Sequence, residues 1–286
     1  MVKLAATILI LGGLLAMAQI ATAADAPEPQ SSGNGLLNEL TSYKADYSTG
    51  EDRADKPTRM KAMRETAISL GARGGLYARA QEIKRQLESR AKVLDRIDFG
   101  PLLLTTPEGR NIVPAVIVKE DGVLAVEEAG RVFRVASQTY RIARQARFTA
   151  AIPTWRSYLL MDEFTRPERP PMPLLPATDE ERALWRDWVA TGWSNGIAQA
   201  DDIFELQMQR LRRDYVGMVR YRLMVSYGMI VEPKIERSHM SVAGGGDKMS
   251  IDDTVLEIKV SPKLNQNSID WKAFPQLPDT EYLNVR

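Results

Sequence analysis

The residues best suited to chemistry lie in one helical-looking run, from Gly192 to Met218. Asp201 and Asp202 are adjacent carboxylates, and Glu205 follows one turn later on the same helix face. Such carboxylates can act as a general acid and base, or bind a divalent metal ion. The arginines of the stretch Arg210–Arg213 follow them, which is also the charge pattern of a solvent-exposed, ion-paired helix. The sequence shows no converging partners for metal or glycosidase chemistry, so we favour a polar helix face.

The other residues with chemical potential are few. His239 is the only histidine, so a Ser-His-Asp triad or a histidine metal site would depend on one residue in a predicted strand. The triple glycine Gly244–Gly246 lacks the lysine and the helix of a phosphate-binding loop. The chain has no cysteine, which excludes thiol catalysis, thiolate metal sites and disulfides. From these residues we assign no catalytic residue, no cofactor and no metal site.

The N-terminal segment, Met1–Ala23, has the pattern of an export signal. Lys3 precedes the largely apolar stretch Leu4–Met17, and Ala21-Thr22-Ala23 is a small-residue cleavage site before Ala24. A bacterial lipoprotein would carry a cysteine to be lipidated directly after its signal, and Ala24 stands there instead. We therefore expect a soluble exported protein without its own lipid anchor.

The composition is that of a folded protein with no strong electric field. Of 286 residues, 44% are hydrophobic and 26% charged, and the formal net charge is +1. Arginines cluster at Arg141–Arg147 and again at Arg210–Arg213, close to aromatic residues, a combination that grips single-stranded nucleic acid or forms protein interfaces. Because the net charge is close to zero, we favour a protein interface and expect no direct contact with nucleic acid.

The N-terminal half predicts helix and then strands. After a flexible tether over residues 24–57, the apolar spacing predicts a helix over Thr58–Asp98, in which Gly71, Gly74 and Gly75 mark either a close approach of another backbone or a break between two helices. Asp121-Gly122 between two apolar runs predicts a hairpin turn. We expect strands near 112–118, 123–128 and 131–136, and leave Tyr140–Phe148 open between strand and helix.

A proline-rich strap separates this region from a long helix. Pro153–Leu160 predicts a short helix, and five prolines in Arg166–Pro176 predict an extended strap. Thr178 with Glu181 matches a capping box, so a helix should begin there and run to about Tyr227. Its length would be roughly 70 Å at 1.5 Å per residue, longer than one compact core. A single apolar stripe is expected to be buried: Leu184, Trp188, Gly192, Gly196, Ala200, Phe204, Leu211, Tyr215, Met218 and Val225.

The C-terminal part predicts an antiparallel hairpin. Thr254–Val260 alternates apolar and charged residues, Ile230–Val242 is its predicted partner, and the triple glycine with Asp247 would form the turn. The predicted fold class is therefore α+β: a mainly helical scaffold with a long helix after the strap, a central β-hairpin region and a C-terminal antiparallel segment. The predicted organisation is a signal peptide (1–23), the tether (24–57), one α+β domain (58–261) and an extended tail (262–286).

Several sequence blocks carry a resemblance to a known family. They are PTWRSYL at 153–159, G-W-x-x-G followed by Q-A-D-x-I-F at 192–204, and L-x-R-D-Y-x-G-M-x-R-Y at 211–221. Together they resemble the DotC/TraI family of type IVB secretion and conjugation machines, over about residues 60–235. This resemblance implies a structural subunit of the outer-membrane core complex, and not an enzyme, at the periplasmic face of the outer membrane. Its implied partners are DotD- and DotH-like subunits and further copies of itself in a ring.

Family members are usually lipoproteins, so the missing cysteine is a departure from the pattern.

The residues that we predict for partner binding are Trp155, Arg156, Tyr158, Trp193, Arg213 and Tyr215. The tryptophans on either side of the strap could instead form the seam of a core. Two other functions stay open at this point: a periplasmic hydrolase that uses the carboxylates, and a ligand-binding protein with a tryptophan-lined site in the region 185–205.

Overall fold

The computed structural model describes residues 32–45, 56–127, 132–245 and 247–272. The predicted signal peptide and residues 24–31 and 46–55 of the predicted tether lie outside the described residues. The fold is α+β, as predicted. The helices are α1 (Ser32–Thr41), α2 (Lys56–Ser89), α3 (Ala91–Leu94), α4 (Trp155–Leu159) and α5 (Asp179–Ser226). None of the helices in these ranges has an apolar stretch long enough to cross a membrane.

The chain forms two compact units where the sequence predicted one domain over 58–261. The helical unit contains the described residues up to Ile97 together with Trp155–Gln209, and the strand unit contains Asp98–Thr154 and the residues from Arg210 onwards. Each unit therefore combines segments that are distant in sequence. Helix α5 contributes its part up to Gln209 to one unit and its part from Arg210 to the other, in agreement with the expectation that it is too long for a single core.

The helical unit is held together by direct backbone contact between α2 and α5. A Cβ atom added to Gly192 would lie 2.1 Å from the carbonyl oxygen of Ile68, and one added to Gly75 would lie 2.2 Å from that of Trp193. Ion pairs join Arg59 to Glu181 and Arg79 to Asp201 at the two ends of the contact. Because residues further along α2 contact residues further along α5, the two helices run parallel. The glycines of α2 thus mark a close approach, and α2 continues unbroken through them.

Helix α1 corrects the prediction of a flexible tether for residues 32–41. Leu36 and Leu40 are buried against α2 and α5, and Trp185 Nε1 donates a hydrogen bond of 3.0 Å to the Leu40 carbonyl. The segment looks like a linker because it is rich in glycine and serine, but two leucines four residues apart suffice to dock one helical turn. The strap passes alongside, and Ala45 N donates to the Pro176 carbonyl at 2.9 Å.

The predicted start of α5 is confirmed. Thr178 Oγ1 accepts a hydrogen bond of 3.2 Å from Glu181 N, and the Glu181 carboxylate accepts one of 2.8 Å from Ala177 N, one residue before the position that a standard capping box uses. The buried stripe differs from the prediction in its first turns. Leu184 is exposed, whereas Trp185 is fully buried and leads the stripe.

In its described residues the strand unit contains one three-stranded sheet and three two-stranded pairs. The three-stranded sheet has the order β1 (Leu104–Thr105), β2 (Asn111–Val113), β5 (Arg147–Thr149). The antiparallel pairs are β3 (Val116–Glu127) with β4 (Val132–Arg144), β6 (Ile230–Val231) with β9 (Lys263–Leu264), and β7 (Lys234–Gly245) with β8 (Lys248–Val260).

The hairpin turn predicted at Asp121-Gly122 is wrong. Gly122 has φ +62°, yet β3 continues through it, and Asp121 pairs with Gln138 while Val123 pairs with Ala136. The last described pair of the ladder is Glu127 with Val132, and residues 128–131 between them lie outside the described residues. Of the stretch Tyr140–Phe148, residues 140–144 belong to β4 and residues 147–148 to β5, so strand is the correct one of the two alternatives.

The predicted partner of Thr254–Val260 is confirmed only from Lys234 onwards, because Ile230 and Val231 form β6 and pair with β9 instead. The predicted turn is wrong at its start, since Gly244 and Gly245 still belong to β7 and pair with Met249 and Lys248. Leu256, Ile258 and Val260 are half-buried while Glu257 and Lys259 are exposed, as the alternation requires. The beginning of the predicted extended tail packs on its own unit. Trp271 Nε1 donates to the Asn265 carbonyl at 3.0 Å, and Lys272 N donates to the Tyr227 carbonyl at 3.0 Å. Residues 273–286 of the tail lie outside the described residues.

Candidate functional site

The three carboxylates that could act in catalysis, Asp201, Asp202 and Glu205, lie on α5 as exposed or ion-paired side chains. Asp201 Oδ1 accepts a hydrogen bond of 2.7 Å from Arg79 Nε, so one of the three is engaged in holding α2 to α5. Asp202 and Glu205 are exposed on α5, and Glu205 accepts a hydrogen bond from Gln209 one turn on. The described parts of the chain contain no group of three potential metal ligands among their His, Asp and Glu side chains. This arrangement is that of a charged helix face.

Trp155 and Arg156 form a hydrogen-bonded cluster with Asp95 and Glu88 in the helical unit. Trp155 is 1% exposed, and its Nε1 donates to Asp95 Oδ1 at 2.8 Å. Arg156 donates to the same oxygen at 2.9 Å and to Glu88 at 3.1 Å, and its guanidinium lies 4.2 Å from the centroid of the Trp155 ring. The hydrogen bonds from Trp155 and Arg156 lower the pKa of Asp95. These hydrogen bonds connect the short helix α4 to Glu88 at the end of α2 and to Asp95 directly after α3.

Trp193 is part of the close contact between α2 and α5. Gly74 and Gly75 of α2 face its ring and its backbone, and only 9% of the residue is exposed. Tyr158 lies on α4 and is half-buried. A tryptophan-lined ligand site built from Trp155 and Trp193 is therefore not available, because both rings are already covered by their own unit.

Arg213 and Tyr215 belong to a second cluster, in the strand unit. Asp214 between them is fully buried, and it accepts Arg213 Nη2 on one oxygen and Arg144 Nη1 of β4 on the other, both at 2.9 Å. Tyr215 is 3% exposed and packs edge-to-face against Phe99, with ring centroids 5.2 Å apart. Burial, with the nearby charge of Asp98, raises the pKa of Tyr215 to about 12. Its ring is a core component.

The next turns of α5 pack against the first residues of β3, Val116 and Ile117. Arg220 is 9% exposed, and its Nη1 donates to the Ile117 carbonyl at 2.6 Å. A Cβ atom added to Gly217 would lie 2.5 Å from Val116 Cγ1 and 3.0 Å from Ile117 N. The sequence block 211–221 therefore has a structural explanation. Asp214 holds β4 through Arg144, and Gly217 and Arg220 contact β3, so the block packs both strands against α5.

The six residues predicted for partner binding fall into separate groups. Trp155 and Arg156 lie together on α4, and Trp193 lies at the glycine contact. Trp155, Trp193 and Tyr215 are buried within their own units, which leaves Arg156, Tyr158 and Arg213 with surface to offer a partner. Each of these three also makes contacts in its own unit.

The feature that our sequence analysis missed is an exposed apolar surface on the β7–β8 hairpin. Met240, Met249, Ile251 and Val255 are between 42% and 69% exposed. The signal was present in the sequence: in β8 the apolar residues change phase, from the odd positions 249, 251 and 255 to the even positions 256, 258 and 260. The alternation in Thr254–Val260 predicts an inward direction for the even set alone.

Comparison with known proteins gives the class of the molecule. A family model described as type IV secretory system, conjugal DNA-protein transfer, matches residues 57–273, well over half of the 286-residue chain. The protein is therefore a component of a type IV secretion or conjugation system. It belongs to the TraI family of these systems, and all the sequence blocks at 153–221 lie within the matched range. A search of curated proteins gives no match.

Proposed function

We propose that this protein is a structural subunit of the outer-membrane core complex of a type IVB secretion or conjugation apparatus. In this proposal the chain is exported by its N-terminal signal and works at the periplasmic face of the outer membrane. It assembles there with DotD- and DotH-like subunits and with further copies of itself in a ring. The observation that carries the proposal is the family match over residues 57–273, which includes both structural units.

The structure supports an architectural role in two ways. The side chains with catalytic potential are exposed on a helix or engaged in ion pairs, as Asp201 is with Arg79. The strand unit presents long two-stranded ribbons, and one of them carries a large share of the exposed apolar side chains of the described residues. Exposed apolar surface of this kind marks sites of association with other molecules.

The proposal is tested by following the DotH-like subunit in cells with and without this protein. Outer and inner membranes are separated from the wild type, from a deletion strain, and from the deletion strain complemented with the full chain or with Asp201→Asn/Glu205→Gln. We expect the DotH-like subunit to leave the outer membrane in the deletion strain and to return with either complementing gene. An unchanged distribution in the deletion strain would contradict the assembly role. Failure of the carboxylate variant alone, despite normal abundance, would restore the hydrolase hypothesis.

A further inference from the structure

The last described residues of the strand unit form a short loop, residues 265–272, which we call the tip loop. Its first residue, Asn265, donates a backbone hydrogen bond of 2.8 Å to the Met229 carbonyl. Its last residue, Lys272, donates one of 3.0 Å to the Tyr227 carbonyl. The tip loop is therefore fixed at both ends to the strand unit.

Two large apolar side chains of the tip loop are exposed. Ile269, at the centre of the 3₁₀ turn Ser268–Asp270, is 89% exposed, more than any other large apolar side chain in the described parts of the chain. Trp271, two residues later, is 39% exposed. Isoleucine is among the residues most often buried in folded proteins, and exposed tryptophan commonly anchors a contact with another molecule. The tip loop thus presents two such side chains on one turn.

The hydrogen-bond donors beside these two side chains are already paired within the chain. The indole Nε1 of Trp271 donates to the Asn265 carbonyl at 3.0 Å. The backbone N–H groups donate as follows: Ile269 N to Asn267 Oδ1 at 3.4 Å, Asp270 N to the Asn267 carbonyl at 3.2 Å, Trp271 N to the Ser268 carbonyl at 3.2 Å and Lys272 N to the Tyr227 carbonyl at 3.0 Å. Water supplies partners to a loop that stays in solvent, whereas in the apolar part of a bilayer each N–H needs a partner inside the chain. The tip loop meets that condition at the residues that it exposes.

The charged groups of the tip loop and of its base suit an anionic surface. Asp270 is the one acidic residue of the loop, and its Oδ2 accepts hydrogen bonds from Asn265 Nδ2 at 3.1 Å and from Asn267 Nδ2 at 3.2 Å. Lys272 ends the loop, and Lys263 lies in β9 two residues before it. Both lysines are exposed and have no ion-pair partner in the described residues. Cations close to a bilayer are attracted by its anionic headgroups.

We infer that the tip loop inserts Ile269 and Trp271 into the headgroup region of a phospholipid bilayer, with Lys263 and Lys272 against anionic headgroups. Tryptophan is enriched at this level of a membrane, because its ring is both apolar and polar at one edge. A pocket in a partner protein also accepts apolar side chains, but it can supply hydrogen-bond partners of its own. The internal pairing of the loop's donors, together with the two lysines, therefore favours lipid. The inference goes beyond the proposed function, which assigns no residue to lipid contact.

The contact made by a single copy is weak. A myristoyl chain has far more apolar surface than one isoleucine and part of a tryptophan, and it gives only marginal, reversible membrane binding. We therefore expect reversible binding that is resolved only at high lipid concentration. Several tip loops in one assembly bind together, and their high effective concentration at the bilayer strengthens the attachment.

The position of the tip loop can be measured with a fluorescent label, because the chain has no cysteine of its own. The full-length protein with Ile269→Cys is labelled with the environment-sensitive fluorophore NBD and titrated with vesicles of phosphatidylethanolamine and phosphatidylglycerol. We expect the NBD emission to rise, to shift to shorter wavelength, and to be quenched by lipids brominated on their acyl chains. The matched control is Leu206→Cys with the same label, at an exposed leucine of α5, whose emission should not change.

Binding of the unlabelled protein is measured by sedimentation with the same vesicles. Ile269→Ser should lower the partition coefficient about tenfold, since partial burial of an isoleucine side chain corresponds to a factor of this size. Leu206→Ser, a comparable loss of exposed apolar surface, should leave it unchanged. Both side chains are exposed, so neither change removes a core residue. Lys263→Gln with Lys272→Gln should also lower binding about tenfold, but only on vesicles that contain phosphatidylglycerol.

Three results would overturn the inference. One is an NBD emission at position 269 that stays constant on all vesicles. Another is equal binding of wild type and Ile269→Ser, with loss of binding in Ile251→Ser, which would place the lipid contact on the β7–β8 hairpin. The third is absence of vesicle binding while Ile269→Ser releases the DotH-like subunit from the purified particle, because the tip loop then fills a pocket of a protein partner.

The vesicle assay contains no other subunit, so its result is independent of the proposed function. Vesicle binding through Ile269 without a core-complex particle supports the lipid contact and contradicts only the proposed complex. A particle that contains DotD- and DotH-like subunits, from a protein that does not bind vesicles through Ile269, overturns the lipid contact and leaves the proposed function standing.

Discussion

The glycine contact between α2 and α5 gives the sharpest prediction, for the variant Gly192→Ala. In an ordinary helix this change stabilises the helix by about 1 kcal/mol, because alanine has the higher helix propensity. In α5 the added Cβ atom would lie 2.1 Å from the Ile68 carbonyl oxygen, far inside the 3.4 Å at which ordinary contact begins, so the two helices must separate locally. The obstructing atom belongs to backbone and cannot rotate away.

Overpacking of this kind costs about 1–3 kcal/mol, occasionally more. Because rigid backbone atoms meet at this position, we place the cost at the upper end, at about 3 kcal/mol. After the gain in helix propensity, we expect Gly192→Ala to lower the free energy of unfolding by about 2 kcal/mol. The matched control is Gly35→Ala, in helix α1, where an added Cβ meets nothing within 4 Å. This control should be neutral or stabilise by up to about 1 kcal/mol.

Urea unfolding followed by tryptophan fluorescence is the assay. Four of the five tryptophans (Trp155, Trp185, Trp188 and Trp193) lie in the helical unit, so the signal reports mainly on that unit. If Gly192→Ala were as stable as wild type, or gained stability as Gly35→Ala should, the backbone contact between α2 and α5 would not exist in solution.

Three further predictions concern polar groups. Asp214→Asn removes a buried charge shared by Arg144 and Arg213, and should lower the free energy of unfolding by about 3 kcal/mol. Thermal unfolding checks this prediction. A change below about 0.5 kcal/mol would contradict a stabilising role of the Arg144–Asp214–Arg213 cluster. Tyr215→Phe should leave stability and assembly unchanged within about 0.5 kcal/mol, since its buried hydroxyl has no hydrogen-bond partner in the described residues; loss of partner binding in a pull-down with normal folding would instead give the hydroxyl an interface role. Burial acts to raise the pKa of Glu181, but hydrogen bonds from Arg59 and the Ala177 backbone outweigh it and lower that pKa. The carboxylate therefore stabilises the fold fully above its unfolded pKa of about 4.3, and this contribution is lost as the pH falls through the lower folded value. Glu181→Gln should lower stability at pH 7 and flatten the decline between pH 5 and pH 3 in urea titrations; an unchanged pH profile would show that the pair contributes nothing.

The features predicted correctly from the sequence depend on local physical chemistry. The start of α5 follows from the hydrogen bond between Thr178 and Glu181, which lie within one helical turn of each other. The pairing of β7 with β8 follows from the alternation in Thr254–Val260 and from the glycine-rich stretch that precedes β8. The family resemblance was equally visible, because its motifs are contiguous blocks.

The errors arise where distant residues decide the outcome. Asp121-Gly122 has the composition of a turn, but the ladder to β4 extends past it, and Gly122 adopts a positive φ inside a strand. Gly71 and Gly75 could mark a break or a close approach, and only the backbone of α5, which is distant in the sequence, decides between them. Helix α1 forms because the α2–α5 pair offers a surface for Leu36 and Leu40.

The predicted partner-binding residues show the same limit. Tryptophan, tyrosine and arginine are enriched both at interfaces and where secondary structures meet in a core, so their type alone does not separate the two. Trp155, Trp193 and Tyr215 are buried, whereas the exposed apolar surface of the β7–β8 hairpin consists of methionine, isoleucine and valine.

The most direct test of the account is affinity purification of the tagged full-length protein from its native membranes, with identification of the proteins that co-purify. The proposed role in the core complex predicts a high-mass particle that contains DotD- and DotH-like subunits and several copies of this chain. Recovery of a monomer without partners, under conditions in which the particle survives when purified through a tagged DotH-like subunit, would contradict the assembly role.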